Sequence, residues 1–262
     1  MLLALILLAA GTAGIVFALD SGSDSDSSDD GADGSDGSQN GDLLDGETFE
    51  GTSEGDELVG TERDDTFIGG DGEDLVSGGA GDDSILGGED DDYLVGDAGD
   101  DTLEGGEGAD ILFGGTGSDV ILGGAGDDNL FGTGFVDVDA RETDIFGDPE
   151  AGSDASDTLD GGDGDDRIAL GDNDVATGGA GADIFATGTW ADDGAPGEVT
   201  DFEIGTDEVE VYYETGTTEP VVTLDESPEG DTEILIDGEV ALLLKGVVGV
   251  PDSAVTVISS MG

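Results

Sequence analysis

The chain contains neither cysteine nor histidine. The first absence excludes disulfides and thiolate metal sites, and the second excludes histidine general bases. Only four basic side chains occur against 68 acidic ones, which gives a formal net charge of −64. Such a chain cannot neutralise phosphates, so we expect no nucleic-acid binding. It also lacks the polybasic patch that attracts proteins to an acidic membrane surface.

Familiar catalytic motifs are missing as well. The sequence has neither an HExxH zinc-protease motif nor a GxSxG nucleophile elbow, and a catalytic triad would have no histidine. Paired carboxylates are abundant and can in principle perform acid–base chemistry. The repeats described next use these carboxylates as ligands, so we expect that the protein is not an enzyme.

What the chain does contain is a nine-residue period. Nine consecutive units run from residue 51 to 131, two more occupy 152–169, and another begins at Gly178. Each unit has glycine first, aspartate sixth and a large apolar residue eighth. A nonamer is too short to bury a core alone, so the units must stack on one another. The sixth-position aspartates then stack too.

These positions supply the candidate metal ligands. Aspartate offers a hard anionic oxygen, which suits calcium or magnesium, and glycine permits positive φ in a tight turn. Asp174 belongs to a unit shortened by one residue, 170–177. The candidate aspartates are Asp74, Asp83, Asp92, Asp101, Asp110, Asp119, Asp128, Asp157, Asp166, Asp174 and Asp183. The firmest turns begin at Gly69, Gly78, Gly105, Gly114, Gly123, Gly161 and Gly178.

Stacking makes these aspartates interdependent. Carboxylates on successive coils would lie ~4.8 Å apart, the spacing of neighbouring strands. Without a cation, each such pair repels by about 3–4 kcal/mol at an effective dielectric constant of about 20. Aspartate and glycine also form turns without any metal, but a plain turn does not require aspartate at the same position in every unit.

The consensus GGxGxDxUx resembles the RTX, or hemolysin-type, calcium-binding repeat family. The resemblance implies an all-β fold, a right-handed parallel β-roll in which two nonamers make one coil. It also implies that the first six residues of each unit form a metal-binding turn and the last three a short strand. Several Ca²⁺ ions would then lie between turns on the same side, one coil apart.

Some units depart from this consensus. The second-position glycine is replaced by Thr52 and Thr61 in the first two units, and Arg63 places a cation in the second turn. We expect these turns, and the unit at Gly152, to be weak sites near edges of the roll. The roll is predicted to occupy 51–186, with an insertion at 132–151 that lets it continue.

The N-terminal region has a different composition. Residues 1–19 carry no charged side chain, and as a helix they would span about 28 Å, close to the thickness of a bilayer core. This segment is a transmembrane anchor or the core of a signal peptide; a basic n-region is missing. Residues 20–50, rich in aspartate, serine and glycine, are predicted to be a disordered acidic linker.

Residues 187–262 are predicted to cap the open end of the roll. Alternating runs indicate strands at 208–214 and a hairpin with Asp237–Gly238 at its turn. The segment from Asp201 to Val209 resembles the region that closes RTX domains of serralysin-type secreted proteins. That resemblance implies an uncleaved secretion signal near the C-terminus, a route that does not need the hydrophobic segment 1–19.

These observations favour a secreted or cell-surface protein whose roll folds on binding calcium. Extracellular calcium modules bind at about 10⁻⁴–10⁻³ M, so they fill outside cells and stay empty in the cytosol. The alternative is an adhesin or extracellular matrix component that uses the roll as a scaffold for a surface glycan or protein partner. Membrane anchoring through 1–19 is compatible with both.

Overall fold

A computed structural model describes residues 14–15, 46–132, 156–188, 195–213 and 217–259, the first pair as backbone only. Its strands form two sheets, of ten and eleven strands. The first sheet contains, in spatial order, β1 (Gly14–Ile15), β3 (Asp56–Val59), β5 (Leu75–Ala80), β7 (Tyr93–Ala98), β9 (Ile111–Thr116), β11 (Asn129–Phe131), β13 (Arg167–Ala169), β15 (Ile184–Gly188), β17 (Glu208–Tyr213) and β21 (Val255–Ser259). The second contains β18 (Val222–Glu226), β19 (Thr232–Ile236), β20 (Glu239–Leu244), β16 (Gly197–Val199), β14 (Val175–Ala180), β12 (Thr158–Asp163), β10 (Val120–Ala125), β8 (Thr102–Glu107), β6 (Ser84–Glu89), β4 (Thr66–Asp71) and β2 (Thr48–Glu50). One 3₁₀ turn, Asp252–Ala254, precedes β21.

From β1 to β17 consecutive strands alternate between the two sheets, and neighbours within a sheet are parallel. Leu103 of β8 pairs with Ile121 of β10, two nonamers along the chain. One coil therefore consists of two nonamers, as predicted for a parallel β-roll. The all-β fold and the roll are confirmed.

The eighth-position side chains form the core between the sheets. Leu94, Leu103, Leu112 and Ile121 are fully buried, as are their equivalents along the roll. Side chains alternate across a strand, so the residues at positions seven and nine face outward. On the outer face of the first sheet Phe113 and Phe131 stack with ring centroids 4.6 Å apart, within a second apolar cluster.

The roll begins earlier than predicted. Phe49 of β2 occupies an eighth position, where it is buried and stacks on Phe67 with centroids 4.7 Å apart. The backbone N–H of Glu47 donates to Asp65 Oδ1 at 2.7 Å, as a sixth-position residue does. The boundary of the linker at residue 50 was therefore wrong, because GETFE is a truncated repeat unit. Residues 20–45 of that linker lie outside the described residues.

The insertion leaves the roll in register. The backbone N–H of Asp119 donates to the side chain of Asp157, which lies 38 residues further along the chain. In the turns before the insertion, such partners are 18 residues apart. The insertion therefore adds 20 residues. The predicted start of the insertion was wrong, because Gly132 is the first residue of the turn that contains Asp157. A Cβ atom placed on Gly132 would lie 2.5 Å from Asp157 Oδ2, which is the relation that other first-position glycines have to their own aspartates. Residues 133–155 lie outside the described part of the chain.

The predicted C-terminal cap turns out to extend the roll. β16 and β17 continue the two sheets in parallel, and β20 and β21 pair with them in the same direction. Only β18, β19 and β20 form antiparallel pairs among the described strands. The predicted hairpin is confirmed, since Asp237 and Gly238 join β19 to β20 with φ of 53° and 95°. These two positive φ values suit a tight hairpin turn.

The hydrophobic N-terminal helix is not among the described elements. Of residues 1–19, only Gly14–Ile15 are described. They form a short strand that pairs in parallel with β3 and so covers the otherwise unpaired edge of that strand. In the part of the chain that the structure describes, no helix has the length and apolar character needed to cross a membrane.

Candidate metal-binding turns

The sixth-position aspartates form two rows, one along each edge of the roll. The first row contains Asp56, Asp74, Asp92, Asp110, Asp128, Asp166, Asp183 and Asp207, and the second contains Asp65, Asp83, Asp101, Asp119, Asp157 and Asp174. All of them are buried. The structure thus brings all eleven predicted aspartates into the rows, whose order follows from the pairing of alternate nonamers.

A ladder of hydrogen bonds runs along each row. Asp110 donates its backbone N–H to Asp128 Oδ1 at 2.9 Å, and Asp92 donates in the same way to Asp110 Oδ1 at 2.8 Å. Each carboxylate is therefore fixed by the backbone of the preceding coil. This bond fixes one oxygen of each carboxylate and leaves the other for a second role.

In nine turns the second oxygen is buried without a hydrogen-bond partner. These oxygens are the Oδ2 atoms of Asp74, Asp83, Asp92, Asp101, Asp110, Asp119, Asp128, Asp157 and Asp166. A buried carboxylate oxygen without a partner costs several kcal/mol unless a cation or proton compensates it. Nine of them at equivalent places indicate a site for cations in the turns.

The first-position glycines make room for these oxygens. An ideal Cβ at Gly105 would lie 2.2 Å from Asp110 Oδ2, and one at Gly123 would lie 2.4 Å from Asp128 Oδ2. The predicted glycines Gly69, Gly78, Gly114, Gly161 and Gly178 stand in the same relation to their own aspartates. A side chain at this position would occupy the space into which Oδ2 points, so the residues present fit a bound cation.

Asp174 and Asp183 are the two predicted ligands whose Oδ2 atoms are not among the nine buried oxygens without a partner. In the shortened unit, the backbone N–H of Gly171 donates to Asp174 Oδ2 at 2.6 Å, which satisfies that oxygen within its own turn. Asp183 retains the regular ladder bond, from the backbone N–H of Asp166 at 3.0 Å. Asp174 therefore has the weaker structural support as a metal ligand.

Sequence reasoning missed Asp207 as a member of the first row. Asp183 donates its backbone N–H to Asp207 Oδ1 at 3.2 Å, and Glu203 donates to Oδ2 at 2.7 Å. The signal was present, because residues 202–210 read FEIGTDEVE, with glycine fourth, aspartate sixth and valine eighth. The missing first and second glycines concealed this unit.

The turns must draw most of their oxygens from the backbone. Among the described residues, no three acidic side chains converge into a preformed metal cluster. Calcium takes six to eight oxygen ligands and accepts backbone carbonyls as readily as carboxylates. Each turn can offer one buried carboxylate together with its own peptide carbonyls, which suits calcium better than a metal that requires nitrogen or sulfur ligands.

Burial changes the acidity of these carboxyls. Desolvation, with repulsion from neighbouring aspartates, raises the pKa of Asp92, Asp101 and Asp128 to about 7. For Asp157, desolvation together with the charge of Asp174 raises the pKa to about 8. Without a cation the folded roll therefore favours protonated carboxyls at pH values where an unfolded chain would be ionised.

This shift predicts an unusual pH dependence for the calcium-free protein. A carboxyl whose folded pKa is raised contributes stability below its unfolded pKa, near 3.8, and loses that contribution as the pH rises through its folded pKa, about 7 for Asp92 and about 8 for Asp157. In calcium-depleted buffer we expect β structure to increase as the pH falls from 8 to 5, measured by circular dichroism. In calcium the sign reverses, because protons compete with the ion. Loss of β structure on acidifying the calcium-free protein would contradict this account.

Fifth-position aspartates form a separate, exposed ladder. Asp127 Oδ1 accepts the backbone N–H of Asp165 at 3.0 Å, and Asp82 Oδ1 accepts that of Asp100 at 2.9 Å. These side chains lie at the surface. Asp127 thus faces solvent, although its side chain also bonds to the next coil.

Comparison with known protein families agrees with this geometry. The RTX calcium-binding nonapeptide repeat matches six windows in two overlapping groups, residues 50–85, 68–103, 86–121 and 104–139, and then 151–172 and 168–189. A stacked two-sheet roll with aspartate rows along its edges is the class of structure defined by these repeats. Over residues 50–139 and 151–189 the chain belongs to the RTX calcium-binding repeat family. No curated protein matches it.

Proposed function

We propose that this protein is an extracellular calcium-binding protein whose roll folds when calcium fills its turns. The observation that carries the proposal is the set of nine buried carboxylate oxygens that have no hydrogen-bond partner. Each points into a turn whose first glycine leaves room for it, as at Gly105 and Asp110. Calcium bound there would neutralise the carboxylates and link peptide carbonyls of the turn to them.

Its working location follows from the expected affinity. Sites of the extracellular class fill at about 10⁻⁴–10⁻³ M calcium, a concentration that the cytosol does not reach. Inside a cell, carboxylates of one row, such as Asp110 and Asp128, would repel one another and oppose folding. A chain that folds only after export would therefore be compatible with passage through a secretion channel.

The proposed role is non-catalytic. In the described turns the row carboxylates are engaged with backbone N–H groups or face the glycine at the first position. This arrangement supports a role as structural ligands over one as an acid–base pair around a substrate.

An adhesin or matrix component is the second candidate. It is favoured by the outer face of the first sheet, where Tyr93, Ile111 and Tyr212 pack around Phe113 and Phe131. Aromatic side chains on a rigid sheet suit a glycan or protein partner. Binding to a glycan array in calcium, but not in chelator, would favour this role over a calcium module alone.

Location and anchoring can be tested together. We expect protease added to intact producing cells to degrade the full chain, because the roll lies outside. Deleting residues 1–19 should move the protein from the membrane to the soluble fraction without changing its calcium response. A mature protein that begins near Leu19 by mass spectrometry would show that the segment is a signal peptide. Full protection from external protease would contradict the extracellular proposal.

A further inference from the structure

The first two turns of the roll differ from the turns that follow. In the turn of Asp56, the backbone N–H and hydroxyl of Thr52 both donate to Asp56 Oδ2, at 2.6 and 2.9 Å. In the next turn, the backbone N–H and hydroxyl of Thr61 bind Asp65 Oδ2 at 2.8 and 2.9 Å. The oxygen that has no partner in nine later turns is therefore doubly satisfied in these two.

The carboxylates of these two turns also lie farther from the first-position glycine than those of the other turns do. An ideal Cβ at Gly51 would lie 3.0 Å from Asp56 Oδ2, and one at Gly60 lies at the same distance from Asp65 Oδ2. In the turns with an unpartnered oxygen, the equivalent distances are 2.2–2.5 Å. The threonine thus draws the carboxylate away from the space that it faces elsewhere.

Backbone conformation separates the two kinds of turn. Thr52 and Thr61, at the second position, do not have positive φ. Wherever the second residue of a turn with an unpartnered Oδ2 is described, its φ is positive; these residues are Gly70, Gly79, Gly88, Asp97, Gly106, Gly115, Gly124 and Gly162. β-branched threonine avoids positive φ, so its peptide N–H can face the carboxylate of its own turn.

We infer that the turns of Asp56 and Asp65 bind no calcium and that Thr52 and Thr61 take the place of the cation there. The two turns form a metal-independent end to the roll, and the φ of the second residue decides which turns receive an ion. At the opposite end, Glu203 and Gly171 likewise donate backbone N–H groups to Asp207 and Asp174. The calcium rows are thus bracketed by turns that satisfy their own carboxylates. This inference rests on the proposed calcium function.

The test counts calcium ions bound per chain, by equilibrium dialysis with labelled calcium at saturation. The pair Asp56→Asn and Asp65→Asn should bind as many ions as the unaltered chain. The matched pair Asp92→Asn and Asp101→Asn removes the same two charges from central turns and should lose at least one ion. The double variant Thr52→Gly and Thr61→Gly should gain at least one, because glycine restores the conformation of a binding turn.

Each result decides between the alternatives. Equal losses in the two asparagine pairs would overturn this inference alone, because calcium binding itself would stand. Glycine variants that fold in calcium and bind no additional ion would also overturn it. If the glycine variants fail to fold, the asparagine pairs still decide, since asparagine keeps the Oδ1 acceptor. A chain that binds no calcium at all would contradict the proposed function.

Discussion

In chelator at neutral pH, the circular dichroism spectrum of this protein is expected to be that of a largely unfolded chain. In millimolar calcium it is expected to show a cooperative gain of β structure. Nine buried carboxylate oxygens without a partner oppose folding of the empty roll. Neighbouring carboxylates within a row, such as those of Asp92 and Asp110, also repel one another when both are charged, and this repulsion destabilises the folded state.

The expected effect is comparable to the stability of a whole domain. At a free calcium concentration about ten times Kd, each site contributes ~1.4 kcal/mol by mass action. The nine turns with an unpartnered oxygen would together contribute on the order of 10 kcal/mol, within the range of total stability for natural domains. The transition should be cooperative because each turn contacts its neighbours along the row.

Two controls separate calcium binding from general screening of charge. Potassium chloride at matched ionic strength reduces repulsion among exposed acidic residues but should not restore the β signal. Magnesium should substitute poorly, because it requires a tight octahedron and gives up its waters reluctantly. Identical spectra with and without chelator would show that the roll does not depend on calcium.

The second large effect is expected within a single turn, at the adjacent residues Asp127 and Asp128. Asp128 is 1% exposed and its Oδ2 has no partner, whereas Asp127 lies at the surface. Asp128→Asn should cost roughly the ~1.4 kcal/mol of one site, and more if the carboxylate serves two coils. Asp127→Asn should change stability by no more than about 0.5 kcal/mol. Both effects are measured as a shift in the calcium concentration at which half of the protein is folded.

The two substitutions are closely matched. Each removes one negative charge, and asparagine keeps an Oδ1 acceptor. At 128 it can still accept the backbone N–H of Asp110, and at 127 that of Asp165. If net charge or turn formation governed stability, the two variants would behave alike. Equal calcium midpoints would therefore contradict the assignment of sixth-position aspartates as ligands.

A double substitution tests the coupling between coils. Asp110 and Asp128 are joined by the bond from the Asp110 backbone to Asp128 Oδ1. Asp110→Asn and Asp128→Asn should therefore be non-additive, because residues that share a contact or a ligand do not act independently. Asp92→Asn combined with Asp128→Asn, separated by a further coil, provides the comparison. Simple additivity in both pairs would contradict a shared site.

The sequence by itself determined the class of fold and the register of the rows. The period of nine places aspartate and the apolar eighth residue at fixed points of each unit, and stacking is then unavoidable because no unit can bury its core alone. The coil of two nonamers, which brings Asp110 beside Asp128, was implied by the resemblance to RTX repeats and not by the period alone, and the structure confirmed it. The hairpin at Asp237–Gly238 was also readable, because its turn chemistry is local.

Only the tertiary structure decided which turns are equivalent and where the roll ends. Asp207 accepts a ladder bond from Asp183 and Glu47 donates one to Asp65, so both units follow the rows although neither matches the full nonamer consensus. Whether a carboxylate oxygen is left without a partner depends on the peptide orientation at a single residue, as Thr52 shows. The threonine is visible in the sequence, but only the folded turn shows that its N–H and hydroxyl both reach the carboxylate of the same turn, because that contact depends on how the backbone of the turn closes.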